Sequence, residues 1–268
     1  MYLIPLLSIA LCLLLCIPLN VEAQTADSVS LPYKETTYMV GLGPTKVLDT
    51  YLSAEHFSGT GFSFLSGTAR HRTHRQWYTL LQHQASVATT HDRSHDIKML
   101  EACYRFTAAR LRKWQPWQTP LILEAGGAIG ADIGALYNTL GGNNPGQARL
   151  GLHLMPVVAA GWHTLIAGRK AGIRAEAELP LAGVMFSPNY GQSYYEIFSR
   201  GDNDHNIVPT TFVSAPNFRL QLMLNYQVAK RYALQIGYLG DFRQASVNQL
   251  KQHIYSHRCM VGVIISPK

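Results

Sequence analysis

Ser256 lies between His253 and His257 in "KQHIYSHRC", and a serine beside a histidine is the pairing a hydrolase needs, since the imidazole takes the hydroxyl proton as the oxygen attacks. In an extended segment, however, side chains alternate between two faces. His253, Tyr255 and His257 then share one face, and Ser256 shares the other with Ile254. The catalytic alternative draws on a distant serine, Ser193, with His205 or His253 as base. Its chemistry would be hydrolysis or acyl transfer on an outer-membrane lipid, lipid A or a phospholipid. In "HDRSHD", His91 and His95 stand four apart with Asp92 and Asp96 beside them. Two imidazoles at that spacing converge on a metal from a helix, whereas this stretch reads as a polar hairpin tip, so no metal and no cofactor are expected.

Two further groupings carry chemistry of recognition rather than of reaction. The stretch "SPNYGQSYYEIFSRGDNDHN", residues 187–206, combines Tyr190, Tyr194 and Tyr195 with Gln192, Ser193 and Glu196. Rigid aromatic area with polar handles suits a glycan or a partner surface. The competing reading folds the same tyrosines back as a lid. Arg200-Gly201-Asp202 matches a three-residue adhesion motif, but "GDNDHN" is turn chemistry in its own right. The second grouping is a set of charges that recurs on one face of alternating segments: Glu101, Arg105, Glu124, Asp132, Arg149, His153, Arg174, Glu176, Glu178, Asp241 and Arg243. Facing a narrow bore, such charges pair and fill it; facing a wide one, they would line a polar channel.

What must position these residues is a set of strands. In "NFRLQLMLNYQV", Phe218, Leu220, Leu222, Leu224, Tyr226 and Val228 share one face, and Arg219, Gln221, Met223, Asn225 and Gln227 the other. "GIRAEAEL", "LEACYRFTA" and "RYALQIGYLGDFR" repeat the pattern. Ten such segments are expected, near 36–50, 59–71, 75–89, 97–110, 120–136, 147–165, 170–185, 217–228, 231–244 and 250–265. Strands of soluble proteins average about 5 to 6 residues, and these are twice that. The expected fold is all-β, an antiparallel transmembrane β-barrel of about ten strands, or twelve if residues 205–215 add a hairpin. Odd-numbered connections should then be the long ones and even-numbered connections the short ones. Trp114 and Trp117 would mark one rim, and Tyr137, Tyr190, Tyr194 and Tyr195 the other.

The opening residues, "MYLIPLLSIALCLLLCIPLNVEA", form an apolar run ending in a small residue, so residues 1–23 read as a cleaved signal peptide. Residues 24–35 are expected to be a periplasmic segment, and 36–268 the barrel. Removing Glu22 with the leader leaves 23 basic and 15 acidic residues, a net charge of +8. For an exported chain that balance suits outer-membrane lipid and lipopolysaccharide, and excludes nucleic acid as a partner. An extracellular ligand or an envelope protein is the other partner class expected. Cys103 and Cys259 remain, too few for a disulfide framework.

The stretches "YLSAEHFSGTGFSFL", "YNTLGGNNP", "GVMFSPNYGQSYYEIFS" and "GYLGDFRQASVNQLKQHIYSH" resemble a domain-of-unknown-function family of exported proteins from Gram-negative gut and oral anaerobes. The resemblance spans nearly the whole mature chain. It implies an outer-membrane barrel in the Gram-negative envelope with both termini periplasmic, and it supplies no activity and no catalytic residues. The function expected is that of a non-enzymatic envelope or ligand-binding protein with a plugged lumen and a long extracellular loop. A lipid-modifying enzyme is the alternative, and a wide porin is not expected.

Overall fold

The computed structural model describes residues 33–72, 76–116, 119–140 and 144–266. The expected signal peptide, and Trp117, lie outside the described residues. Strands follow in the order β1 (Tyr33–Asp49), β2 (Ser53–His71), β3 (Trp77–His91), β4 (Lys98–Trp114), β5 (Leu121–Asn138), β6 (Gly146–Ile166), β7 (Arg169–Glu178) and β8 (Ala182–Phe186). A short helix α1 (Tyr194–Phe198) then precedes β9 (Ile207–Thr211), β10 (Phe218–Gln227), β11 (Tyr232–Val247) and β12 (Leu250–Ile265). All pairings are antiparallel, and β1 pairs with both β2 and β12 while β5 pairs with β6, so the sheet closes on itself.

Twelve segments make ten staves. β6 pairs with β7 up to Val157↔Glu178 and with β8 from Leu154↔Ala182, a one-residue shift at Leu179-Pro180-Leu181. Pro180 has no N–H to give the ladder, and its neighbours bridge the gap with Leu179 N–H to Pro156 O (3.3 Å) and Leu181 N–H to Leu154 O (3.0 Å). β8 is therefore the continuation of β7. Across from it, β9 pairs with β8 and β10 with β7, and residues 212–217 bulge out between them. The stretch 205–215 thus lengthens an existing stave instead of adding a hairpin to the wall.

Alternation decides which side of the wall each residue occupies. Ile129 and Ile133 on β5 are 60% and 58% exposed, and Leu154 on β6 is 57% exposed. With Val40, Leu42, Leu222, Leu234, Ile236 and Val261 they make an apolar belt around the barrel. An exposed apolar surface of that extent marks a face that meets lipid. Cys103 and Cys259 are both free; Cys103 lines a lumen cavity and Cys259 is exposed.

One rim, here the terminal rim, holds the start of β1 at Tyr33 and the end of β12 at Ile265; the opposite one, here the loop rim, holds α1. At each rim one hairpin closes in two residues of positive φ, Ala167-Gly168 (51° and 73°) and Asn248-Gln249 (50° and 61°), the backbone a tight hairpin with right-handed twist requires. The expected asymmetry of loop length is narrower than the sequence implied. β2 begins at Ser53 and β11 runs on to Val247, so the first and last loop-rim connections shrink to residues 50–52 and 248–249. β11 reaches that far because the bulge at 212–217 caps it: Ser246 N–H donates to Ser214 O (2.8 Å) and Gln244 N–H to Asn217 Oδ1 (2.7 Å). β1 likewise starts at Tyr33, whose ring stacks on His71 at 4.4 Å, so residues 33–35 belong to the barrel and not to a preceding segment.

Candidate functional site

The bore is filled in layers. Nearest the loop rim, Val47, Phe57, Met99, Leu136 and Ile254 pack together, with Leu52 and Ile97 against them. Toward the terminal rim, Tyr78, Leu80, Leu111, Met155 and Val157 cover one wall, and Met39, Leu65, Met223, Leu239 and Met260 another. Charged side chains occupy the space between.

Arg105 on β4 is the centre of this charged layer. Its Nε donates to Asp132 Oδ1 on β5 (2.6 Å), and its Nη1 reaches Asp241 Oδ1 on β11 (3.1 Å). His153 on β6 shares Asp132 through Nε2 (2.8 Å), and Arg243 on β11 donates to Glu101 Oε1 on β4 (2.7 Å). Gln84 on β3 donates to Asp241 Oδ2 (3.2 Å). Arg219 on β10, 2% exposed, donates to Glu178 beside it and to Gln82 Oε1 (2.8 Å) and Gln84 Oε1 (3.0 Å) on β3. Below, Arg174 joins Glu124 and Glu176 at 2.5 Å each, and Tyr78 OH donates to Glu124 Oε2 (2.7 Å). Because β3 and β4 bond to β10 and β11 from the far side of the wall, these contacts run across the bore. Arg149 lies apart, 3.5 Å from Asp49.

All eleven charged residues singled out from the sequence point inward; three of their partners, Arg219, Asp49 and Lys113 (3.7 Å from Glu124), were not among them, and neither was the buried Arg258. Arg219 was visible on the polar face of its strand but was passed over among neutral neighbours. Asp49 sits at a strand end, where alternation gives no signal. Arg258, 1% exposed, has no carboxylate partner among the described residues; it donates to Ser63 Oγ (3.1 Å), Thr45 Oγ1 (2.7 Å) and the carbonyls of Gly43 (3.0 Å) and Pro44 (2.8 Å). Gly61 leaves it room, since a Cβ there would stand 2.3 Å from Arg258 Nη2.

Above the apolar layer, residues 187–206 fold as a lid. Ser193 caps α1: its Oγ accepts from Glu196 N–H (3.2 Å), while Glu196 Oε2 accepts from Ser193 N–H (2.8 Å). The Ser193 N–H first, and its hydroxyl, which also donates to the carboxylate, second, hold the Glu196 carboxyl below its ordinary range. Asn206, 2% exposed, ties the ends of the loop by donating to Ser187 O (3.1 Å) and Gln192 Oε1 (2.7 Å). Two neighbouring connections and the start of β6 hold the lid down. Asn248 Nδ2 donates to Ser187 O (3.1 Å) and His205 O (2.9 Å), Tyr51 OH to Gln192 O (2.9 Å), and Ala148 N–H to Tyr194 OH (2.6 Å). Tyr194 and Ile197 face inward, whereas Tyr190 and Tyr195 are 71% and 66% exposed and Phe198 is 71% exposed. The loop is therefore lid and surface together: Ile197 and the Tyr194 hydroxyl are turned to the barrel, Tyr190 and Tyr195 to solvent, and Phe198 flanks the Tyr194 ring at 5.9 Å with its outer side exposed.

Burial pushes the Tyr51 hydroxyl up to about 12, with Tyr194 and Asp49 adding to the shift. A raised acid is stabilising while protonated: the contribution is whole below about 10, the ordinary tyrosine value, and is lost as pH rises through about 12. Cleavage of the lid by an alkali-stable protease is expected to accelerate over that window. Tyr51→Phe should be cut faster at neutral pH and lose the alkaline step. An unchanged step in the variant would remove Tyr51 as the anchor.

The catalytic candidates are not assembled. Ser193 Oγ is committed to the cap and donates to Glu196 Oε2 (2.9 Å). His205 has φ 61° in the loop and offers its backbone carbonyl to Asn248. His253 faces outward from β12, stacked on Tyr255 at 4.6 Å. No hydrogen bond among the described residues joins the three. His91 and His95 have ring centroids 5.5 Å apart, and Asp92 between them is occupied with Ser94 Oγ (2.6 Å) and Ile97 N–H (3.0 Å). Among the described residues no group of three or more His, Cys, Asp or Glu could hold a metal ion.

A family model described as protein of unknown function (DUF3316) matches residues 6–266. The chain belongs to that family. Among curated proteins this DUF3316 chain has no match. Solved structures similar to it include Neisserial surface protein A (9% identity, covering 87% of this chain and 96% of that one, TM-score 0.37). Others are the translocator domain of the autotransporter NalP from Neisseria meningitidis (9%, 89% and 90%, 0.41) and the transport unit of AIDA-I from Escherichia coli (8%, 97% and 98%, 0.45). At these scores the likeness adds nothing to what the closed ladder already establishes about the DUF3316 barrel.

Proposed function

We propose that this chain is an outer-membrane barrel of the Gram-negative envelope, with both termini periplasmic and α1 extracellular, and that it is a non-enzymatic protein which binds at its outer surface instead of passing solutes. The observation that carries the reading is the hydrogen bonding across the bore from β3 and β4 to β10 and β11, at the level of Arg105 and Arg219. Small barrels are filled by their side chains, and paired charges spanning the lumen leave no continuous water column. The cavity below this layer, about 190 Å³ and lined by His71, Lys113, Glu124 and Arg174, lies on the terminal-rim side of it. The apolar belt and the strand lengths support the membrane, and the loop of residues 187–206 supports an extracellular side for α1, since outer-membrane barrels place their long loops outside.

The lid's outward aromatics, Tyr190, Tyr195 and Phe198, are the surface offered to an extracellular ligand or envelope partner. Hydrolysis through Ser193, His205 and His253 finds no support in their positions.

The test is electrical. The full chain reconstituted in planar bilayers at neutral pH is expected to show no conductance steps above the bare membrane. Regular steps with a wild-type barrel would overturn the closed-lumen reading.

A further inference from the structure

The outward face of the barrel is apolar through most of its height, but not where β1, β2 and β12 approach the loop rim. Lys46 alternates with the buried Thr45 and Val47, and Lys251 and His253 alternate with the buried Leu250, Gln252 and Ile254, so all three point away from the lumen. His56 on β2 lies beside His253, ring centroids 5.4 Å apart. His253 stacks on Tyr255 at 4.6 Å and 8°, and Tyr255 meets Phe242 on β11 at 5.9 Å. Lys46 is the register partner of Tyr255, and Leu48 of His253, which puts both lysines and the ring ladder on one continuous patch.

These cations lack internal partners. Neither Lys46 nor Lys251 has a carboxylate within salt-bridge distance among the described residues. The nearest acid on β1, Asp49, is turned inward and fully buried. Glu55, next to His56 on β2, is exposed and makes no salt bridge to either lysine among the described residues. A cation on the lipid face costs about 2–4 kcal/mol at the bilayer midplane and about 0–1 near the interface, so lysines within a few residues of the rim belong at headgroup level. Headgroup phosphates are what complements them there, and flat rings beside them offer the stacking faces that sugars take.

We propose that this patch binds the head of a phosphorylated glycolipid in the leaflet at the loop rim, Lys46 and Lys251 neutralising its phosphate and the ladder of His253, Tyr255 and Phe242 packing against its sugar. The proposal rests on the orientation given above, in which that leaflet is the outer one. It assigns a role to outward residues that neither the lumen nor the lid uses.

The full chain, folded into phosphatidylcholine vesicles, is tested with diphosphorylated lipid A, its dephosphorylated form and phosphatidylglycerol as added probes. Two lysines near an anionic group contribute enough for about a thirtyfold preference for the phosphorylated over the dephosphorylated glycolipid. K46Q/K251Q should lose that preference while the barrel keeps its folded mobility on unboiled gels. Retention of the preference in the variant, or phosphatidylglycerol bound as tightly as lipid A, would overturn the site. Failure of the wild-type chain to insert would instead overturn the membrane reading on which the orientation depends.

Discussion

Arg105→Ala is expected to destabilise the folded barrel by about 3–5 kcal/mol, the cost of leaving buried carboxylates without their cation. The guanidinium is 10% exposed and bonds Asp132 at 2.6 Å and Asp241 at 3.1 Å, so both acids lose a partner at once. Asp132 keeps His153, and Asp241 keeps Gln84 and Arg243, which places the outcome within that range and not beyond it. Denaturant unfolding from lipid vesicles, followed by tryptophan fluorescence, measures it. Neutralising the acids together with the arginine, as Arg105→Met with Asp132→Asn and Asp241→Asn, should restore most of the loss, because no buried charge is then stranded. A loss below about 1 kcal/mol for Arg105→Ala would mean these groups are solvated as surface pairs are, and that the bore is wet. The same variants in planar bilayers ask whether the charged layer is also the barrier to ions.

The second large effect is expected at Asn206. Asn206→Ala removes the donors to Ser187 O and Gln192 Oε1, about 1 kcal/mol each, and should raise the open fraction of the lid about thirtyfold. Trypsin reads this after Arg200, which is held in the helix C-terminal turn by Arg200 N–H to Tyr195 O (3.2 Å) and Asp202 N–H to Glu196 O (3.0 Å). Cleavage needs that turn extended, so its rate follows local opening and not the stability of the barrel. Folded mobility on unboiled gels should be unchanged. An unaltered cleavage rate would mean that Asn248, Tyr51 and Tyr194 hold the lid without help from its own closure.

These two residues mark the limit of what can be read along the chain. Alternation in "NFRLQLMLNYQV" and its counterparts was sufficient for the barrel, for nearly all stave positions, and for the inward face that carries Arg105 and Asp132, because facing is a property of each strand's own backbone. It also separated Ser256 from His253 and His257, since the serine is buried in the lumen and the histidines face outward. The capping box of Ser193 and Glu196 is local too, and lies in four consecutive residues.

What tertiary structure alone decided is partnership. Arg243 meets Glu101 across 142 positions, and Arg219 meets Gln82 across 137, because strand tilt and closure bring particular levels of distant staves opposite one another. Neither tilt nor level is written in the alternation of a single strand. The two sides of the long loop were undecided for the same reason: whether Tyr194 packs inward while Tyr195 stays in solvent depends on Tyr51, Ala148 and Asn248, residues of three distant segments that become its neighbours only when the barrel closes.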